Sequence, residues 1–168
     1  QVIERARSAG ITHIFMPNID STTIDSMLSV CNTYNDYCFP MIGLHPTSVN
    51  ADYEKELEIV ARELRSFNKY IAIGEVGMDL DWDKTFLKEQ QIVLDKQINW
   101  ALEYDLPVVI HCRDAFGYIY NVLEPYKNTS LKGIFHSFTG TDDEAARILE
   151  FSGFLIGING VVTFKKSH

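Results

Sequence analysis

Glu75, His111 and His136 are the residues of this 168-residue chain whose types and positions could serve one piece of chemistry together. Each sits at or near the carboxyl side of a short apolar run: YIAIGEVG (70–77), LPVVIHC (106–112) and LKGIFHSF (131–138). One carboxylate and two imidazoles are ligand types suited to Zn²⁺, Mn²⁺ or a similar divalent ion. A single strand-end histidine is more often a satisfied core or rim residue. Three such positions on successive runs favour a shared ion instead. Gly74, just before Glu75, leaves space for a ligand to approach the backbone closely.

The stretch LPVVIHCRD (106–114) shows how the chain changes from core to chemistry. Side chains alternate along a strand, so His111 and Arg113 share one face and Cys112 takes the other. Cys112 therefore reads as a small packed residue rather than a nucleophile. Arg113 either grips a phosphate or carboxylate through its planar fork or pairs with Asp114 or Glu124. His45, before Pro46 in GLHP, either lines the pocket or shapes the loop. Asp79 and Asp81 either support the site from behind or cap the following helix. Asn18 and Asn159 also stand at strand ends, and Asn159 joins Arg113 and His45 as a candidate substrate contact. His13 precedes its strand and reads as structural. Gln90 and Gln97 read as a polar contact between helices.

Six apolar or β-branched runs supply these positions, the other three being ITHIFMP (11–17), CFPMIGLHP (38–46) and GFLIGINGVVTF (153–164). Between them lie segments of helical period. Ile24, Met27, Leu28 and Cys31 mark one face after the cap candidates Asp20 and Ser21; Tyr53, Leu57, Val60, Leu64 and Phe67 mark another. The longest helix, 84–104, carries Leu87, Gln91, Leu94, Ile98 and Ala101. Thr141 and Glu144 have capping-box spacing, with Gly153 where that helix is expected to stop. Gln1-Val-Ile-Glu-Arg-Ala-Arg opens as helix.

Near-continuous apolar strands alternating with helices imply an α/β protein with a parallel sheet. An open sheet forms its site mainly at one switch point, whereas a barrel gathers the ends of all its strands around one mouth. Polar residues end six strands here, which favours a (β/α)8 TIM barrel. Such a barrel typically needs about 250 residues. The expectation is a single partial barrel domain over 1–168, holding six of eight strands with the first and last missing.

The charge balance, 15 Lys and Arg against 23 Asp and Glu, gives a net charge of −8 and excludes broad adhesion to polyanions. An enzyme that touches few phosphates and borrows positive charge from bound cations remains compatible. Lys165-Lys166 is too short for a nucleic-acid patch. No apolar run approaches the roughly 18 residues of a membrane span. Three cysteines without C-x-x-C spacing suggest neither a disulfide framework nor a thiolate zinc site, and point to a reducing, cytoplasmic setting. No secretory signal and no obligate protein partner are evident.

GLHP (43–46), GEVGMD (74–79), LPVVIHCRDAF (106–116), FHSFTG (135–140) and INGVVTFKK (158–166) together resemble the TatD-type metal-dependent hydrolases, often described as deoxyribonucleases. The resemblance covers essentially the whole chain. It implies a (β/α)8 barrel with one or two divalent ions (Zn, Mg or Mn) at the carboxyl ends of its strands. Glu75 matches the family's metal-ligating glutamate, and His111 and His136 match its two later histidine ligands. The family's H-x-H pair and E-T-D aspartate do not occur here; both belong on the two strands expected to be missing. The implied reaction is hydrolysis of DNA phosphodiester bonds by metal-activated water. Glu75 would assist the proton transfer that the absent aspartate performs, and Arg113 would contact phosphate. With three ligands present, the resemblance implies weak metal binding and impaired catalysis until the missing strands are restored. A related barrel hydrolase acting on a small phosphate ester, amide or lactone, and a non-catalytic module, remain as alternatives.

Overall fold

The computed structural model describes residues 1–66, 69–81 and 83–165. Phe67, expected on a helical face, and Lys166 of the terminal motif lie outside the described residues. The chain alternates helices α1 (Val2–Ser8), α2 (Ile24–Thr33), α3 (Tyr53–Ser66), α4 (Leu87–Glu103), α5 (Phe116–Leu123) and α6 (Asp142–Ile148) with strands β1 (Ile14–Met16), β2 (Cys38–Pro40), β3 (Ile73–Asp79), β4 (Val108–Arg113), β5 (Gly133–Phe135) and β6 (Phe154–Ile156). All strand pairs are parallel. β1 pairs with β2, β3 to β6 form a four-stranded run in chain order, and a bridge from Ile42 to Ile73 joins the two. This is the parallel α/β arrangement expected of a barrel. Among the described residues, β1 and β6 are its unpaired edges, with Phe15 and Leu155 exposed there.

The inner strands β3, β4 and β5 are largely buried on both faces, which explains the near-continuous apolar sequence there. Ile73, Val76, Met78, Val108 and Ile110 have no exposed surface. α4 covers them with Val93, Leu94, Ile98 and Ala101. Burying an aliphatic side chain of this kind contributes about 1.5–3 kcal/mol. Behind β5 and β6, Phe135, Phe151 and Phe154 pack with their rings tilted to one another, and the Arg147 guanidinium lies 3.6 Å from the Tyr120 ring centre.

Several elements differ from their sequence reading. The run 38–46 keeps its strand only to Pro40, touches β3 again at Ile42, and turns into a 3-10 segment at Pro46–Ser48. Pro46 opens that turn, as proline does when its missing N–H removes no needed bond. The run 153–164 divides: strand ends at Ile156, and Asn159 caps a 3-10 turn by accepting from the Val161 amide at 2.9 Å. α6 has its Thr141–Glu144 capping box but stops at Ile148, before Gly153, whose place is the entry to β6. α4 is rotated from the expected face. Its buried stripe runs through Gln90, Val93, Leu94, Gln97 and Ile98, leaving Leu87 and Gln91 half-buried.

Candidate metal centre

The carboxyl ends of β3 and β4 and the loop after β2 meet at one place, and β3 carries a register shift there. Gly74 pairs with Val109 and Val76 with Ile110, leaving Glu75 as the extra residue. Such bulges re-aim a side chain and commonly occur beside functional sites. Two residues on, Gly77 has φ +138°, and a Cβ there would lie 2.0 Å from the His111 carbonyl oxygen. Glycine at 77 thus lets β3 lie directly against the backbone that presents His111.

Glu75 stands between two imidazoles. Its Oε1 is 3.5 Å from His111 Nδ1, and its Oε2 is 4.0 Å from His45 Nε2. The two imidazole rings are 4.6 Å apart between centres. His45, Glu75 and His111 each offer a ligand atom, and these atoms lie within 4.8 Å of one another. The set has the donor chemistry of a Zn²⁺ or Mn²⁺ site, two imidazoles with one carboxylate.

Each donor is held from behind. His111 Nε2 lies 2.8 Å from the Asp79 carboxylate, which is 3% exposed. With that nitrogen donating its proton to Asp79, Nδ1 presents a lone pair on the Glu75 side whenever the ring is neutral. His45 Nδ1 lies 2.7 Å from Thr47 Oγ1 and 3.2 Å from the Thr47 amide nitrogen. Nδ1 accepts from that amide, so the neutral ring carries its proton on Nε2, toward Glu75, and would give it up there to an incoming ion. Asn18, fully buried, donates from its side chain to the Gly43 carbonyl at 2.8 Å, while its backbone carbonyl accepts from the Glu75 amide at 3.3 Å. A single residue at the end of β1 thereby ties the GLHP loop to Glu75.

The electrostatics follow from this crowding. Burial acts to raise the Glu75 carboxyl, but the His111 hydrogen bond and the charges of His45, His136 and His111 outweigh it, so its pKa is lowered. Burial acts to lower His111, and the bonds to Glu75 and Asp79 reverse that, raising it. His45 is lowered, first by burial and then by the neighbouring His111 charge. The pair of imidazoles is therefore asymmetric: His111 favours its proton and His45 resists one.

The remaining candidates fall into place around this group. His136 is exposed at the end of β5 and lies 2.9 Å from Ser137 Oγ, outside the compact donor set although close enough to act on Glu75. His45 takes the third position in that set. Arg113 pairs with Asp81 at 2.7 Å, rather than with Asp114 or Glu124. Among the described residues neither Asp79 nor Asp81 caps a helix: the first serves His111, the second Arg113. Asn159 caps its turn at the end of β6. Cys112 is half-buried against the core, and burial pushes its thiol up to about 11, as expected of an inert packing residue. His13 stacks on Phe39 beside β1, away from the centre. A cavity of about 570 Å³ opens between the ends of β4 and β5, lined by Asp81, Arg113, His136, Phe138 and Glu144 among others.

Gln90 and Gln97 do not form the helix-to-helix contact their spacing suggested. Each side-chain amide instead grips one backbone unit beneath the site, at Asp79 and Leu44 respectively. The two-residue interval from His111 to Arg113, opposite Gly77 and Asp79 in the neighbouring strand, places Asp79 on the face of His111, a relation that needs the strand register to be seen. The H-x-T of His45 and Thr47 was a readable signal, pointing to a histidine oriented by its own loop.

Parallel strands that deliver two imidazoles and a carboxylate to one end define an α/β protein of barrel type with a candidate metal centre. The chain belongs to the TatD related DNase family, whose model matches residues 1–168. It is 34% identical to the uncharacterized metal-dependent hydrolase YabD of Bacillus subtilis, over 99% of this chain and 64% of that protein. It is 30% identical to the 3'-5' ssDNA/RNA exonuclease TatD of Pantoea ananatis, over 96% of this chain and 62% of that protein. The crystal structure of YjjV, a TatD homologue from Escherichia coli, superposes with a TM-score of 0.88 at 30% identity, covering 98% of this chain and 62% of that one. The chain thus spans a little under two thirds of the relatives it matches.

Proposed function

We propose that the chain carries the metal-binding centre of a hydrolase that cleaves phosphodiester bonds, acting on single-stranded DNA from its 3' end. The observation that carries this reading is the convergence of His45, Glu75 and His111 within 4.8 Å. Family membership supports the reaction class, and the name of the Pantoea relative supports the substrate and its polarity. The cysteines, all free, fit a cytoplasmic setting, and among the described residues no helix is long and apolar enough to cross a membrane.

His45, Glu75 and His111 would hold the ion, with His136 at the exposed edge as a further donor. A divalent ion bound there supplies positive charge that polarises a phosphate oxygen and makes a nearby water more acidic. The chain's own residues supply position and proton handling. Asp79 keeps the His111 proton on Nε2, and Thr47 orients His45. Glu75, held ionised and itself one of the set, would assist in taking up the water's proton. Arg113 would exchange its bond to Asp81 for a phosphate oxygen, a substitution that keeps the guanidinium paired. Phe138, which lines the cavity beside Arg113, would be the ring against which an unstacked base packs. Asn159, at the end of β6, is assigned to the substrate side of the same mouth.

The test combines calorimetric titration with Mn²⁺ and Zn²⁺ and a cleavage assay on end-labelled single-stranded oligonucleotides. The expected result is divalent-ion binding that falls at least about tenfold in Glu75→Gln and His111→Ala, with cleavage that requires the ion and starts from the 3' end. Absence of divalent-ion binding by the wild-type chain would overturn the metal assignment. Intact DNA alongside turnover of a small phosphodiester would overturn the nuclease assignment alone.

A further inference from the structure

Two glutamines spaced seven apart on α4 make the same contact twice. Gln97 Oε1 accepts from the Leu44 amide at 2.7 Å, and its Nε2 donates to the Leu44 carbonyl at 3.2 Å. Gln90 Oε1 accepts from the Asp79 amide at 2.9 Å, and its Nε2 donates to the Asp79 carbonyl at 3.2 Å. Both side chains are buried, Gln97 completely and Gln90 to 4% exposure. Seven residues span two helical turns, or about 10.5 Å along the axis. The helix therefore fixes two backbone units at a set separation.

The gripped units are the ones the centre depends on. Leu44 immediately precedes His45, and Asp79 is the carboxylate that holds His111. Leu44 lies past the end of β2 and has no exposed surface, so its backbone amide and carbonyl need partners within the fold. Among the described residues Gln97 is their hydrogen-bond partner. An amide is suited to this task because it offers a donor and an acceptor side by side, matching a peptide unit on both counts. An apolar residue at either position would pack equally well but grip nothing.

We infer that Gln90 and Gln97 are positioning residues for the metal centre, Gln97 setting the place of His45 and Gln90 setting that of the Asp79–His111 pair. The inference rests on the reading of His45, Glu75 and His111 as the ion-holding set. Groups that orient metal ligands typically change affinity by about 10–100-fold when removed. The two glutamines act one step further out, through the backbone, and an effect near the lower end of that range follows.

The test uses the 168-residue chain with Gln97→Met and Gln90→Met, which retain length and apolar packing but lose both bonds. Gln91→Met, on the half-buried neighbour, is the control. Two readouts are taken: Co²⁺ affinity with the visible absorption band of the bound ion, and assigned amide and imidazole resonances of the metal-free protein at fixed pH. Gln97→Met should weaken Co²⁺ binding about tenfold, alter the band, and shift the resonances of Leu44 and His45 more than those of His111. Gln90→Met should show the converse pattern, at Asp79 and His111. Wild-type affinity, band and resonances in both folded variants, with only a lower melting temperature, would overturn the inference. If a Met variant does not fold, the Glu substitution at the same position decides: Gln97→Glu or Gln90→Glu keeps the acceptor and loses the donor, so His45 or His111 resonances displaced from wild type support the inference and unmoved ones overturn it. Failure of the wild-type chain to take up Co²⁺ would count against the metal assignment, while the metal-free resonances would still decide the positioning.

Discussion

His111 faces Glu75 with one nitrogen and Asp79 with the other, and this raises its affinity for a proton above that of a free imidazole. In the metal-free chain the consequence for stability has a definite sign. A histidine whose folded pKa is raised contributes stability that is fully present below the unfolded value of about 6.5 and is lost as pH rises through the folded value. His45 is shifted the other way, so above about pH 6.5 it is neutral folded and unfolded and contributes no slope; below that it loses stability as pH falls. Glu75, lowered, adds a loss only at acidic pH. Melting temperature in chelator should therefore fall as pH rises from about 6.5, and His111→Gln should flatten that fall. Parallel profiles for wild type and variant over this range would show that His111 is not the group responsible. The chemistry of Glu75 and His111 was legible because strand ends in a parallel α/β chain point to one mouth. The place of His45 beside them was not, since it depends on where β2 stops and how the Pro46 turn folds back.

Close approach of β3 to β4 is what turns two strand ends into one centre, and it rests on Gly77. A Cβ at that position would overlap the His111 carbonyl oxygen at 2.0 Å, and φ +138° is a region side chains rarely adopt. Gly77→Ala should cost about 1–3 kcal/mol from backbone strain alone, with the steric overlap adding to it. Gly117, near the start of α5, has open space where a Cβ would stand, with nothing within 4 Å, so Gly117→Ala should be neutral or stabilise by up to about 1 kcal/mol through helix propensity. Urea denaturation of both variants checks the contrast; equal midpoints would remove Gly77 as the contact that sets the strand spacing. At this scale the alternation of strand and helix could be read from apolar runs and caps such as Thr141–Glu144. The face of α4 could not, because its buried stripe includes Gln90 and Gln97, and polarity in a sequence suggests solvent or another helix. Only the backbone units they satisfy explain why amides are buried there. The bulge at Glu75 was equally hidden, since an extra residue in one strand is defined by its partner strand and leaves no mark of its own in composition.

A net charge of −8 constrains how the molecule as a whole can meet a polyanion. Nonspecific nucleic-acid affinity comes from cations that displace condensed counterions, and its dependence on salt scales with the number of phosphates contacted. The candidate mouth offers few: Arg113 is paired with Asp81, and the cavity it lines also presents Asp114 and Glu144. On the proposed function, affinity for a single strand would come chiefly from a bound ion and from base contacts on rings such as Phe138, with about one phosphate neutralised by Arg113. For single strands the slope of log affinity against log salt is about −0.7 per phosphate, so a slope of roughly −0.7 is expected. Fluorescence anisotropy of a labelled phosphorothioate oligonucleotide, which resists cleavage, between about 50 and 200 mM salt at constant divalent ion measures that slope. A basic groove tracking many nucleotides would instead give a slope of about −4 or steeper, and such a result would contradict the few-contact mode that the charge distribution requires. Chelation should weaken binding more than this whole salt range does, because removing the ion takes away the largest local positive charge in an otherwise acidic mouth.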